Sequence, residues 1–450
     1  MTDRTSRGAA RSGTAATRSA GRLTGVDIAR FLAIFWMFVA HIGPDRDDGW
    51  PNRLLWLGDG REAALFAFLA GVSLTLVHGE RLRLPWRDPE AAATSRAVVR
   101  RTVEKSFLLL LLGLWLAGLE TGVLVILPFF ALYFVVALPA LYLPTRTIAV
   151  TAAYWAFAGP MVSFILRYSW ERVDPGYRVP DFGALADPGE FVTTLFVTGT
   201  YPVITWMPFV FAGMAVGRLD LRSVPVLWRL TGAGTALALL GYGGSWLIVE
   251  AGGAGTQLQT ATDRLFDAPP GSVSVLEALG WYTGTTPPND PTWLVVAQGH
   301  SGTPFEVVGA TGVACAVLGL CCLACMRFLD GDRRPAPWYV AAPAAVGAMS
   351  LSVYTVHLIA GWSSLTPGAG SWVRLLAYTA VALAGAWLWA RLLGKGPLER
   401  ALAVAGGRSP DVRSPGRPAG PDPNAAAPPD TDAGTDTDTD TDGDTGTGRS

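Results

Sequence analysis

His41, His300 and Glu306 are the residues through which this chain could move a proton. An imidazole changes charge near neutral pH, so a positioned histidine can take a proton from a hydroxyl or amine as it attacks. His41 closes LTGVDIARFLAIFWMFVAHIG (Leu23 to Gly43), a run long enough to cross a membrane as one helix. The same run carries Asp27 and Arg30. Ionisable groups are costly in hydrocarbon, and where a span holds them they usually face a protein interior and act there. At 100° per residue, Asp27, Arg30 and His41 share one face. At 1.5 Å per residue, Arg30 and His41 stand about 16 Å apart, so they mark opposite ends of one polar stripe.

Each of these groups also has a plainer reading. Thr24-Gly25-Val26-Asp27 fits a capping box with Asp27 at the third helical position. Arg30 either snorkels to the nearer surface or offers a fixed cation to a phosphate or carboxylate. His41 is either a hydrogen-bonded packing residue or a general base. His300 lies in the loop HSGTPFEVVGATG, between Gly299 and Gly302, and carries no structural excuse. Thr303-Pro304-Phe305-Glu306 reads as a helix start, with Thr capping, Pro at the first position and Glu closing the box. His357, in GAMSLSVYTVHLIAG, shares a face with Gly347, Ser350, Tyr354 and Gly361. Small residues there imply close helix contact, and Tyr354 and His357 can hydrogen-bond across it. Arg61 and Glu62 enter the second apolar run, and His78 leaves it at a solvated interface.

The elements that must position these groups are membrane spans. Half of the 450 residues are hydrophobic and only 16% are charged, against about 25% charged in soluble proteins. The apolar residues fall in runs of roughly 20, the length of a bilayer crossing. Ten spans are expected, at about 23–43, 61–78, 106–121, 124–143, 147–167, 191–216, 230–249, 304–326, 338–362 and 371–393. Pro202 and Pro208 should kink or break the sixth. The loop 80–105 carries seven Lys/Arg, and the segment 1–22 is Arg-rich, which places both in the cytoplasm with the C-terminus. Residues 1–22 and 394–450, the latter ending in a Thr-Asp run, have the composition of disordered tails. The loop 250–303 is the longest connection and reads as a functional loop.

Cys315, Cys321, Cys322 and Cys325 lie on one predicted span, which suits helix packing rather than disulfides. No metal is predicted. On this topology His41, His300, Glu306, His357, Arg61 and Glu62 gather near the outer surface. Asp27, Arg30 and the basic 80–105 segment gather near the inner one. A basic inner mouth and a histidine-lined outer mouth suit acyl transfer across the membrane, with a phosphate-bearing donor entering from inside. Prolines 202 and 208 and the intramembrane charges keep a transporter in play, and a non-catalytic membrane scaffold is a third reading. No nucleotide-binding motif occurs, and nucleic acid is not an expected partner.

VDIARFLAIFWMFVAH (Val26 to His41) and GREAALFAFLAGVSL (Gly60 to Leu74) resemble multi-span proteins with a heparan-α-glucosaminide N-acetyltransferase-like domain, and a related bacterial family of unknown function. Both open with V-D-x-x-R in the first helix and L-F-x-x-x-x-G in the second. HSGTPFEVVGATG and MSLSVYTVHL look like later signatures of the bacterial family. The resemblance implies a cytosolic acetyl-CoA donor, a terminal glucosamine acceptor on the far side, and an essential histidine in the first luminal loop. Here the loop 44–60 has no histidine, and His41 stands where the acetyltransferase helix carries an asparagine.

The expectation is therefore an all-α, polytopic bundle of about ten transmembrane helices in the cell membrane, with residues 23–393 as the transmembrane domain. The donor is acetyl-CoA or another acyl-CoA, and the acceptor an envelope glycan or lipid. His41 is the first candidate base and His300 the second, with Glu306 beside them. Asp27, Arg30, Arg61, Tyr354 and His357 are the candidate substrate contacts.

Overall fold

The computed structural model describes residues 23–44, 49–58, 60–78, 82, 89–170, 178–326, 336–362 and 370–405. Among them the regular structure is entirely helical. The principal helices are α1 (Thr24–Ile42), α2 (Arg61–His78), α3 (Pro89–Ala117), α4 (Leu127–Ala137), α5 (Thr145–Ser169) and α6 (Val203–Val216). There follow α7 (Val224–Ala251), α8 (Ala254–Phe266), α9 (Val275–Trp281) and α10 (Pro304–Cys325). The last four are α11 (Trp338–Ala348), α12 (Ser350–Trp362), α13 (Ser371–Leu392) and α14 (Pro397–Ala405).

Among the described residues six helices, α1, α2, α5, α7, α10 and α13, are long and apolar enough to cross a membrane. The number rises to eight if two bent pairs each count as one span. The first pair is Pro188–Thr198 with α6, bent by 52°, and Pro202 sits at the break as expected. The second is α11 with α12, bent by 81°. That bend separates Gly347 from Ser350, Tyr354 and His357, so the single helical face expected over 347–361 is not continuous. The expected third span is the C-terminal part of the 29-residue α3, and the fourth is a shorter apolar stretch, Leu127–Tyr142. The expected basic loop is helical from Pro89 onward, because its Ala- and Arg-rich sequence extends α3.

α1 lies at the centre, against α2, α10 and α11. α6 packs on α2 and α5, and α10 packs along α7. These crossings use small residues that let backbones meet. A Cβ on Gly213 of α6 would stand 1.9 Å from the Phe68 carbonyl of α2, and one on Gly347 of α11 would stand 1.8 Å from the Asp27 carbonyl of α1. All four cysteines are free and buried on α10, where a Cβ on Gly25 of α1 would meet the Cys322 backbone at 2.5 Å.

Two segments read as irregular are folded. The connection 250–303 contains α8, α9 and the turn Pro291–Val295, which bury Leu258, Ala261, Ala278, Leu279, Trp293 and Val296 together. Arg167 of α5 fastens this cap by donating to the Thr286 carbonyl. Residues 397–405, expected to belong to the C-terminal tail, instead form α14, which packs on α12 and α3. The rest of both expected tails lies outside the described residues.

Candidate functional site

α1 carries two separate constellations. Near its start, the expected capping box does not form. Leu23 is the N-cap residue, Thr24 makes no capping hydrogen bond, and the Asp27 side chain turns to Arg30 instead. The Arg30–Asp27 pair is 2.7 Å long, and Arg30 also donates to Ser73 of α2 at 2.6 Å. A residue three positions on lies within reach on the same helix face, and a buried carboxylate gains more from a cation than from a cap that water can replace. Arg30 lines a cavity of about 360 Å³ with His78, Lys105, Ser73 and Glu399, walled by apolar side chains such as Phe66 and Phe130.

Glu399 reaches this cavity from α14. Its carboxylate accepts from the backbone N–H groups of Leu351 and Ser352, at 2.9 and 3.1 Å, and from the Ser352 hydroxyl at 2.5 Å. It thereby satisfies the first turn of α12, which follows the sharp break after α11.

At the other end of α1, His41 Nδ1 lies 3.2 Å from His357 Nε2 of α12. The two rings are nearly parallel, 5° apart with centroids at 5.4 Å. His41 is exposed at the end of α1. His357 is buried, against Phe38 and Tyr354. Its Nδ1 makes no hydrogen bond. The Tyr354 hydroxyl accepts from the Ile126 backbone N–H at 3.3 Å, which ties α12 to the start of α4.

His300 is drawn to the same region by its backbone. Its φ is +61°, and Gly60, at φ +70°, lies so close that a Cβ there would stand 2.5 Å from the Cα of Gly299. The ring rests against Tyr201 and Trp206, and its Nε2 is 3.7 Å from Glu62 Oε1. His41 lies within electrostatic range of both Glu62 and His300.

Thr303 caps α10 as expected, accepting from the Glu306 N–H at 3.2 Å. The Glu306 carboxyl does not complete the box. It is buried, facing the backbone N–H groups of His300 and Gly302, and its Oε1 makes no hydrogen bond. Glu62 Oε2 is likewise buried without one. Arg61 stacks on Tyr242 at 4.4 Å, donates to its hydroxyl at 3.0 Å and donates to the Leu57 carbonyl.

His357, His300 and Glu62 therefore gather near His41, with Glu306 beside His300, while Arg30 and Asp27 stay at the far end. Such a set can accept a proton and hold the resulting charge beside a carboxylate. Among the described residues, no three His, Cys, Asp or Glu are grouped to hold a metal ion. Sequence reasoning passed over Glu62, Ser73, Tyr242 and Glu399 as site residues. The expected topology places Glu62 near the outer surface but gives it no role. Ser73, Tyr242 and Glu399 carry no local signal, since their partners are distant in sequence.

Residues 22–244 match the family model for the catalytic domain of heparan-alpha-glucosaminide N-acetyltransferase. A comparison with curated proteins found no match. The matched segment holds Asp27, Arg30, His41, Arg61, Glu62 and Tyr242, whereas His300, Glu306 and His357 lie beyond it. With several membrane-length helices and this match, the chain is a multi-pass membrane protein that carries a heparan-α-glucosaminide N-acetyltransferase-like domain over residues 22–244.

Proposed function

We propose that this chain is a membrane acyltransferase that carries an acyl group from acyl-CoA, with acetyl-CoA the first candidate, to a hydroxyl or amine of an envelope glycan or lipid. The observation that carries the reading is the division of α1 within the family match. Arg30 opens on a cavity with Lys105 and His78, and His41 meets His357 some 16 Å further along the axis. The cations suit the phosphates of coenzyme A, and the apolar walls suit its pantetheine arm. This reading places the Thr24 end of α1 at the cytoplasmic face of the cell membrane, along with both termini. It counts the C-terminal part of α3 and the stretch 127–142 among ten spans. The Lys/Arg distribution supports that orientation.

The surroundings of His357 suggest how His41 would act. In the tautomer in which His41 Nδ1–H donates, His357 Nε2 accepts and His357 Nδ1 carries the proton. His41 Nε2 is then a bare lone pair. The acceptor gives its proton to that nitrogen as it attacks the thioester carbonyl. The new C–N or C–O bond forms, the C–S bond breaks, and the departing thiolate takes the proton back. His300, paired with Glu62 and next to Glu306, is the second candidate for the base. Arg61, Tyr354 and His357 shape the acceptor side.

Purified protein should be stabilised by an acyl-CoA, by about 2.7 kcal/mol at roughly a hundredfold excess over Kd. The stabilisation should disappear in Asp27→Asn/Arg30→Ala. Failure of every acyl-CoA to stabilise the wild type sinks the reading. The bends of 52° and 81° favour a second reading, a transporter with its substrate at broken helices. Flux into vesicles without a covalent product would select it.

A further inference from the structure

The His41–His357 pair borders a second, differently built space. A groove of about 490 Å³ runs between α12 and α13, and His357 is part of its wall. The remaining lining is almost wholly apolar, including Val353, Val356, Ala377, Val381 and Trp389. Its two hydroxyls already have protein partners: Ser352 donates to Glu399, and Tyr378 donates to the Ala360 carbonyl. Nothing but hydrocarbon is offered to an occupant along most of the groove, and an imidazole stands at one end.

Dimensions and exposure point the same way. From Ala377 to Trp389 along α13 the groove extends about 18 Å at 1.5 Å per residue. That is close to the depth of one leaflet of hydrocarbon, about 15 Å. The groove opens sideways, since Val356 and Val381 on its rims are 63% and 71% exposed. Val381 lies on the membrane-length α13 and Val356 on the bent α11–α12 pair, so on the membrane reading the opening faces lipid. A second apolar cavity, of about 530 Å³ between α5, α6, α7 and α10, has no histidine or charged residue in its wall. It could hold a chain, but it presents that chain to no reactive group.

We infer that the acceptor is a membrane-anchored amphiphile, with its hydrocarbon chain in the α12–α13 groove and its hydroxyl or amine head at the His41–His357 pair. This rests on the acyltransferase reading and narrows its acceptor to a lipid-borne one that enters laterally. A water-soluble glycan would leave the groove unused. An amphiphile fills both parts, because burial of the chain holds the head beside the imidazoles, where the donor's acyl group is to be delivered.

Gly385 supplies a clean test. It lines the groove, and a Cβ built there meets nothing within 4 Å. Gly385→Phe therefore introduces a ring at the groove wall with its Cβ clear of neighbours, in a helix interior where glycine is the poorer helix former. Alkyl glucosaminides with butyl and dodecyl chains keep one head and vary only the chain. With wild-type protein and acetyl-CoA, KM for the dodecyl acceptor should be at least about tenfold lower than for the butyl one, since each buried methylene adds affinity. In Gly385→Phe that preference should collapse, while partitioning of the acceptors into the membrane is unchanged. An equal preference in both proteins overturns the inference and leaves the acyltransferase reading standing. Absence of transfer to either acceptor in the wild type counts against that reading, and photolabelling then decides the groove. A dodecyl amine probe carrying a diazirine in its chain should label α12 and α13 in wild type but not in Gly385→Phe. Labelling that ignores the substitution overturns the inference.

Discussion

Removing Arg30 alone should destabilise the protein more than removing Arg30 together with the charge of Asp27. The two side chains form a 2.7 Å ion pair with side-chain exposures of 20% and 4%, and Arg30 also donates to Ser73 at 2.6 Å. Truncating one partner of a buried pair costs about 3–5 kcal/mol, because the charge left behind has lost its compensation. A fifth of Arg30 is accessible, so water can enter after truncation, and about 2–3 kcal/mol is the better expectation for Arg30→Ala. In Asp27→Asn/Arg30→Ala no charge remains, and the cost falls to about 1 kcal/mol, that of the lost hydrogen bond to Ser73. The four proteins of the cycle should therefore be non-additive by about 1.5 kcal/mol or more. Equilibrium unfolding of each in mixed micelles measures this. Additive losses within about 0.5 kcal/mol would refute the reasoning, since the pair would then behave as an exposed one.

Two further perturbations address the ends of α12. His357→Phe keeps a ring against His41 but removes the nitrogen 3.2 Å from it. If His357 holds the His41 tautomer, kcat should fall about 5- to 150-fold, the equivalent of about 1–3 kcal/mol for a buried hydrogen bond, with KM little changed. His357→Gln, whose amide oxygen can accept, should recover part of the loss and restore the shape of the pH–rate profile. Equal activity of all three proteins would remove His357 from the mechanism. Glu399→Ala deletes the acceptor shared by Leu351 N–H, Ser352 N–H and the Ser352 hydroxyl. A cost of about 1–2 kcal/mol is expected for losing such a cap. Hydrogen exchange should quicken at 351–352 and across 397–405 while the His41 end stays protected, and unchanged exchange at 351–352 would show that the cap is dispensable.

Much of the scaffold could be read along the chain. Runs of about 20 apolar residues produced helices of membrane length because no other backbone arrangement satisfies its own hydrogen bonds within one segment of lipid-facing chain. Pro202 marked a real break, and Thr303-Pro304 a real helix start, since both act through the local backbone. Local signals also misled. Thr24 and Asp27 have the spacing of a capping box, yet Asp27 pairs with Arg30, because burial makes a cation worth more than a cap. The cap built from 250–303 and the helix 397–405 went unrecognised, since their short amphipathic pieces gain most of their stability from the helices they cover.

By itself, the sequence determined that this is a helical membrane protein whose first span bears Asp27, Arg30 and His41 on one face, because composition and helical period are properties of single segments. Only the tertiary structure decided that His41 meets His357, 316 positions away, and that His300 turns to Glu62. It also decided that Glu399 closes the turn before α12. Those meetings depend on how helices rotate and cross, which small residues such as Gly60, Gly213 and Gly347 settle by letting backbones touch. A periodicity records which face of a helix is buried, but it carries no record of what that face is buried against.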